Sequence, residues 1–165
     1  MRIMEKNDIF IKLDQGNFVY RVGAFIRKDN KVLMVKNNLQ SHYYSVGGKV
    51  KWGETSQEAV IREVFEETGI WMEVKRLAFI HENFFGENGT PHHEISFYYL
   101  MEECDLDDLV VSSITSEGFH ETLHWLSEDE LNQHEIYPEF FRNELDHTEE
   151  GVKHYITNDI LCKKQ

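Results

Sequence analysis

Residues 55–69, TSQEAVIREVFEETG, specify both ends of one helix and two incompatible surfaces on it. Thr55 and Glu58 make a T-x-x-E capping box, which fixes the start. Gly69 supplies the left-handed stop that commonly closes a helix. On a wheel at about 100° per residue, Val60, Ile61, Val64, Phe65 and Thr68 share one arc, which must pack on a sheet. Glu63, Glu66 and Glu67 share a second arc about 100° wide on the same wheel. Glu58, Arg62 and Glu66 follow each other at i, i+4 and i+8, so the arginine can brace the acids from the side. Any fold for this chain has to seat the apolar arc while bringing three like charges together.

The flanking sequence supplies the sheet. NFVYRVGAFIR (17–27) is rich in β-branched and aromatic residues and is expected to form a strand. Asp29 and Asn30 then turn the chain into KVLMVKN. HYYSVGGKV reads as a third strand ending at the double glycine Gly47-Gly48. MEVKRLAFIHENFF and HHEISFYYLMEEC read as long partners joined by the turn GENGTP, and ETLHWLS as a further short strand. EDELNQ and YPEFFRNELD look helical, giving a helical segment from about residue 127. Strands, one early helix and late helices predict an α/β sandwich in layers. The 165 residues contain no repeat, linker or low-complexity tract, so one domain over 1–165 is expected. No apolar run approaches membrane-spanning length, and the charge-interrupted N-terminus is unlike a signal peptide. Two unpaired cysteines, Cys104 and Cys162, point to a thiol-reducing cytoplasm.

The simplest account of the glutamates is the wet side of an amphipathic helix. Two features oppose it. The acidic arc has no lysine mixed into it, and three carboxylates within a turn raise one another's pKa unless a cation neutralises them. An oxygen-rich cluster of this kind suits Mg2+ or Mn2+. Gly47 and Gly48 end a strand with no side chains, so a backbone carbonyl can approach the same ion or a phosphate.

From Gly48 onward the pattern is G-x5-E-x7-R-E-V-x-E-E-x-G-I, carried by Gly48, Glu54, Arg62, Glu63, Val64, Glu66, Glu67, Gly69 and Ile70. Every position resembles the signature of the Nudix (MutT-like) hydrolases, and the strand pattern extends the likeness over most of residues 17–131. The resemblance implies an α/β/α sandwich with a mixed, largely antiparallel sheet. It also implies hydrolysis of a pyrophosphate bond in a nucleoside diphosphate linked to another moiety X. Carried onto this chain, Glu63, Glu66 and Glu67 with the carbonyl of Gly47 would hold Mg2+ or Mn2+. Glu63 would be the first candidate to position or deprotonate water, with Arg62 and Glu54 fixing the carboxylate rotamers. A further family acid often comes from the loop before the last sheet strand, where Glu117 and Glu121 stand. Val46 replaces the proline that many members carry before the double glycine. Subfamily markers for particular substrates are absent, so the resemblance names a small nucleotide-derived substrate and no more.

Tyr43, Tyr44, Trp52, Phe84 and Phe85 are candidates to stack a base. His92, His93 and Glu94 are adjacent in a strand, point to alternate faces and are not expected to share an ion. The net charge is −13, and residues 77–141 contain no Lys or Arg. Extended nucleic acid and anionic membranes are therefore not expected partners. Arg21, Lys36, Lys49 and Lys51 are the cations near the expected cleft. A homodimer is compatible with the sequence. The readings left open are a hydrolase, a nucleotide-sensing domain without catalysis, an RNA 5′-end pyrophosphohydrolase, and an interaction module with a solvated acidic helix.

Overall fold

The computed structural model describes residues 7–106, 109, 111–114, 118–146 and 151–160. In chain order the strands are β1 (Phe10–Leu13), β2 (Gly16–Phe25), β3 (Arg27–Lys28), β4 (Lys31–Asn37), β5 (Tyr43–Ser45) and β6 (Gly47–Lys49). Helix α1 (Ser56–Thr68) precedes β7 (Val74–Glu87), β8 (Thr90–Met101), β9 (Ser112–Ile114) and β10 (His120–Ser127). Helix α2 (Glu128–Gln133), β11 (Ile136–Tyr137), a 3₁₀ helix (Glu139–Asn143) and β12 (Lys153–Asn158) complete the chain. One sheet runs β1-β2-β8-β7-β12 with β6 also on β2; the other runs β11-β5-β4-β10-β9 with β3 also on β4. The β2–β8, β7–β12 and β5–β11 pairs are parallel and the others antiparallel. The mixed, largely antiparallel α/β architecture expected from sequence is present, divided into two sheets.

Period-two alternation places one core on each side of the strands. Val22 and Ala24 of β2 and Leu33 and Val35 of β4 pack with Ala59, Val60 and Val64 of α1. Their neighbours Phe25, Val32 and Met34 pack instead with Leu131, Phe140 and Phe141. Phe141 is fully buried, with its ring centroid 4.6 Å from that of Phe25. Helices on both sides of the strands make the layering α/β/α.

Four details depart from the sequence reading. HYYSVGGKV is not one strand: β5 and β6 belong to different sheets, and the fully buried Val46 lies at the crossing. There its carbonyl accepts from Ala24 N–H at 2.8 Å, so valine serves where a core residue is needed. The turn after β7 is tighter than GENGTP, because Asn88 and Gly89 both take positive φ (49° and 81°) and close a two-residue hairpin. Phe65 is 37% exposed and stacks on Trp71 at 4.2 Å; Ala59, not Phe65, completes the packed face. The segment from residue 127 is helical only in part, since β12 adds in parallel to the edge of β7. Tyr155 of β12 stacks on Phe140 at 4.1 Å, and Lys153 pairs with the buried Glu144 at 2.8 Å. Those contacts hold KHYITN as a strand.

The core assignment has a direct test. Phe141→Ala should cost about 3–5 kcal/mol in urea unfolding, while Trp52→Ala at a 77% exposed site should stay within about 0.5 kcal/mol. Equal losses would show that the burial map is wrong.

Candidate active site

The capping box forms as the sequence predicts: Glu58 N–H donates to Thr55 Oγ1 at 3.2 Å, and Glu58 Oε2 accepts from Thr55 N–H at 2.8 Å. Gly69 closes α1 in the left-handed region at φ 75°. Glu58 thereby serves the cap. Arg62 reaches Glu54, with Nε donating to Oε1 at 2.7 Å and an Nη donating to Oε2 at 2.9 Å. It also donates to Glu63 at 2.5 Å, to Glu66 at 3.3 Å and to the Lys49 carbonyl at 3.1 Å. One planar guanidinium therefore joins the helix, the loop before it and β6.

Glu63 and Glu67 do not lie on the wet side. The buried residues of α1 are Ala59, Val60, Val64 and Thr68. At about 100° per residue their arc is centred near Val60 and takes in the directions of Glu63 and Glu67. These two carboxylates therefore point at β6, while Glu66 lies at the rim with its side chain 51% exposed. Glu67 accepts from Gly47 N–H at 3.2 Å, and its Oε2 is sealed from water with no hydrogen-bond partner. The double glycine makes this approach feasible. A Cβ on Gly48 would fall onto the Glu63 carboxylate, and one on Gly47, at φ 152°, onto the Val22 carbonyl.

Burial sets the electrostatics. Desolvation raises the pKa of Glu67 well above the ordinary range; Glu121 and Glu63 add to the rise, while the Gly47 N–H and Arg21 oppose it. Burial also raises Glu63, against the pull of Arg62. Burial acts on Glu54 too, yet the Arg62 bonds and the Lys51 N–H outweigh it and hold its carboxyl below the usual range. Glu121, in β10, is close enough to Glu67 to perturb it and accepts from Tyr44 O–H at 2.7 Å. Glu117 lies outside the described residues.

Among the described residues, no three His, Cys, Asp or Glu side chains converge closely enough to hold a metal ion as they stand. Arg62 and the Gly47 N–H now occupy much of their hydrogen-bonding capacity. The donor set nevertheless suits a hard cation: the orphaned Glu67 oxygen, Glu63 beside it and Glu66 at the rim. His92 and His93 do not contribute. His92 stacks on Phe85 at 4.9 Å and His93 packs on Phe84 at 4.3 Å, on opposite faces of β8.

A cleft of about 810 Å3 opens between the two sheets; Glu63, Glu66, Glu67 and Glu121 do not line it, and Arg21 and Tyr44 connect it to them. Arg21, Tyr44 and Ser45 form its near wall, and Arg21 feels Glu63 and Glu67 electrostatically. Of the candidate stacking residues, Tyr44 and Phe85 line the cleft. Tyr43 is buried beneath Lys36, and Trp52 is exposed elsewhere. Lys49 sits opposite Arg21 in register and pairs with Asp8 at 3.6 Å. Sequence reading missed Tyr98, which lines the cleft, and the contribution from Thr157 of β12 and Asp159 just past its end. The short run Tyr155, Ile156 and Thr157, all strand-favouring residue types, was the only available signal for that strand.

Residues 17–144 match the profile of the NUDIX domain. The chain belongs to the Nudix family. Part of it is 36% identical, over 84 residues, to the ADP-ribose pyrophosphatase of Methanocaldococcus jannaschii, covering 49% of this chain and 48% of that protein. The chain thus spans about half the length of that relative. Its structure resembles the MutT protein of Bacillus halodurans, with a TM-score of 0.63 and 21% identity over 86% of this chain and 92% of that one. It also resembles a MutT Nudix hydrolase of Burkholderia pseudomallei, with a TM-score of 0.58 and 25% identity over 78% and 98%. Among the described residues of this Nudix protein, no helix is long and apolar enough to cross a membrane.

The raised pKa of Glu67 carries a sign. Between the ordinary glutamate range and its folded value, the native state holds a proton that the unfolded chain has lost, so metal-free stability falls as pH rises through that window. Glu67→Gln should raise the metal-free melting temperature at pH 8 and flatten its decline from pH 5. Parallel melting curves for the variant and the parent would refute the buried-carboxylate assignment.

Proposed function

We propose that this Nudix protein hydrolyses a pyrophosphate bond in a nucleoside diphosphate linked to another moiety, using Mg2+ or Mn2+. The observation that carries this reading is the Glu67 carboxylate, buried beside Glu63 and Glu121 with one oxygen unpartnered. A solvated acidic helix has no reason to bury its acids, and a structural cluster would satisfy them. The similarity to an ADP-ribose pyrophosphatase supports the same reaction class.

In this reading Glu63, Glu66 and Glu67, with the Gly47 carbonyl, hold the cation. A cation held there would supply charge to offset the pyrophosphate and a lowered pKa for the attacking water. The remaining work belongs to the chain. Arg62 fixes the rotamers of Glu54, Glu63 and Glu66, so their carboxylates need little reorganisation when substrate binds. Glu63 and Glu121 are the candidates to orient the water and take its proton, Glu121 being aimed by the Tyr44 hydroxyl. Arg21 supplies positive charge to phosphate oxygens at the mouth of the cleft.

A panel of nucleoside diphosphate derivatives assayed with Mg2+ and Mn2+ tests the assignment. Turnover should require the cation and rise toward alkaline pH, because the acids with raised pKa must lose their protons to bind it. Glu63→Gln and Glu67→Gln should each lower kcat by at least about a hundredfold. Full turnover in excess EDTA would exclude the mechanism. A sharp drop in metal-free melting temperature in both variants would make the glutamates structural.

A further inference from the structure

We propose that β12 completes the part of the cleft that receives the moiety X, and that this subsite accepts an uncharged, hydroxyl-bearing group such as a sugar and rejects an anionic one. The inference rests on the hydrolase reading for the position of the pyrophosphate, and it specifies what lies beyond.

The register of the first sheet provides a ruler. Arg21 pairs with Ser96 of β8, Ser96 with His81 of β7, and His81 with Tyr155 of β12. The next row on the same face is Val19, Glu94, Asn83 and Thr157. With strands about 4.8 Å apart, β12 lies about 14 Å across the sheet from Arg21. That span suits a pyrophosphate at one end and a sugar-sized group at the other.

The wall changes character along this path. Arg21 is the one Lys or Arg among the described residues lining the cleft, and Glu94 already faces it at 3.8 Å. Beyond it the lining contributes the carboxylates of Glu87, Glu139 and Asp159 and no cation to offset them. His81 does not supply one, because burial lowers its pKa to about 4 and keeps the ring neutral. A second anionic group would meet like charge on several sides. Hydroxyls would meet suitable partners. Thr157 Oγ1 bonds His81 Nε2 at 2.8 Å, which holds that hydroxyl in place, and the Asn83 amide and Asp159 carboxylate add donors and acceptors. Phe85, backed by His92, and Tyr137, edge-on to His42 at 4.9 Å, provide apolar surface for a sugar face.

The test uses matched pairs: ADP- and UDP-linked glucose against the corresponding glucuronates, assayed for cleavage and, by calorimetry, for binding. The neutral member should be preferred in kcat/KM and in affinity by at least about tenfold. Thr157→Val and Asp159→Asn should raise KM for the neutral substrate at least about fivefold with a smaller change in kcat. Thr157→Ser, which keeps the hydroxyl, should restore it. Asp159→Lys should shrink or reverse the preference; Asp159 holds β7 through its backbone N–H to the Phe84 carbonyl, so the side chain can change without unpairing the strand. Cleavage of both members at equal efficiency, or a preference for the glucuronate, would overturn this inference and leave the hydrolase reading intact. Tenfold tighter binding of the neutral member without cleavage would retain the subsite and remove the hydrolase reading. Unchanged KM in Thr157→Val and Asp159→Asn would show that β12 takes no part.

Discussion

Everything at the candidate site depends on holding carboxylates where water does not solvate them. A buried carboxylate is costly unless paired, and this chain pairs its acids incompletely. Arg62 satisfies Glu54 fully and Glu63 and Glu66 in part, while Glu67 receives one backbone N–H and leaves one oxygen bare. The cost is met by the packing around it: Val60 and Val64 anchor the helix face that carries Glu63 and Glu67, and Val46 anchors the β6 side. The core thus compels an unfavourable charge arrangement that a divalent cation would relieve.

The backbone makes room for that arrangement in one place. The chain crosses between sheets at Val46, so the double glycine begins a new strand where the two sheets diverge. The divergence opens the cleft, and the missing side chains let Glu63 and Glu67 close onto β6. Fold and site are the same event here. A side chain at Gly48 would displace the Glu63 carboxylate, and one at Gly47 would push β6 off the β2 backbone.

Much of this was legible in the sequence. The ends of α1, the β4 strand and the joint placement of Glu54, Arg62, Glu63, Glu66 and Glu67 follow from local spacing, which a linear reading captures. Burial of the acids did not follow, because the helix wheel was centred on the bulky residues. Phe65 drew that centre one way, when the small Ala59 marks the other edge of the packed face. The split of β5 from β6 was hidden because both halves have strand composition and only long-range pairing separates them. Strand β12 was missed because an edge strand with an exposed face has little apolar pattern of its own. Its place is set by Phe140, Glu144 and β7.

An acidic protein that handles a polyanionic substrate must confine its positive charge. Here the described cations near the acids are few, and most are already engaged: Arg62 by three glutamates, Arg21 by Glu94, and Lys49 by Asp8. Under the proposed reading, attraction for phosphate would be strong only at the acid cluster with a cation bound there, and it would fall off along the cleft as carboxylates take over. A long nucleic acid needs a continuous track of cations, each releasing condensed counterions. This surface has none from residue 77 to residue 141. Under the proposed hydrolase reading, the same distribution would tolerate one pyrophosphate at one position and make net charge a selector of substrate size.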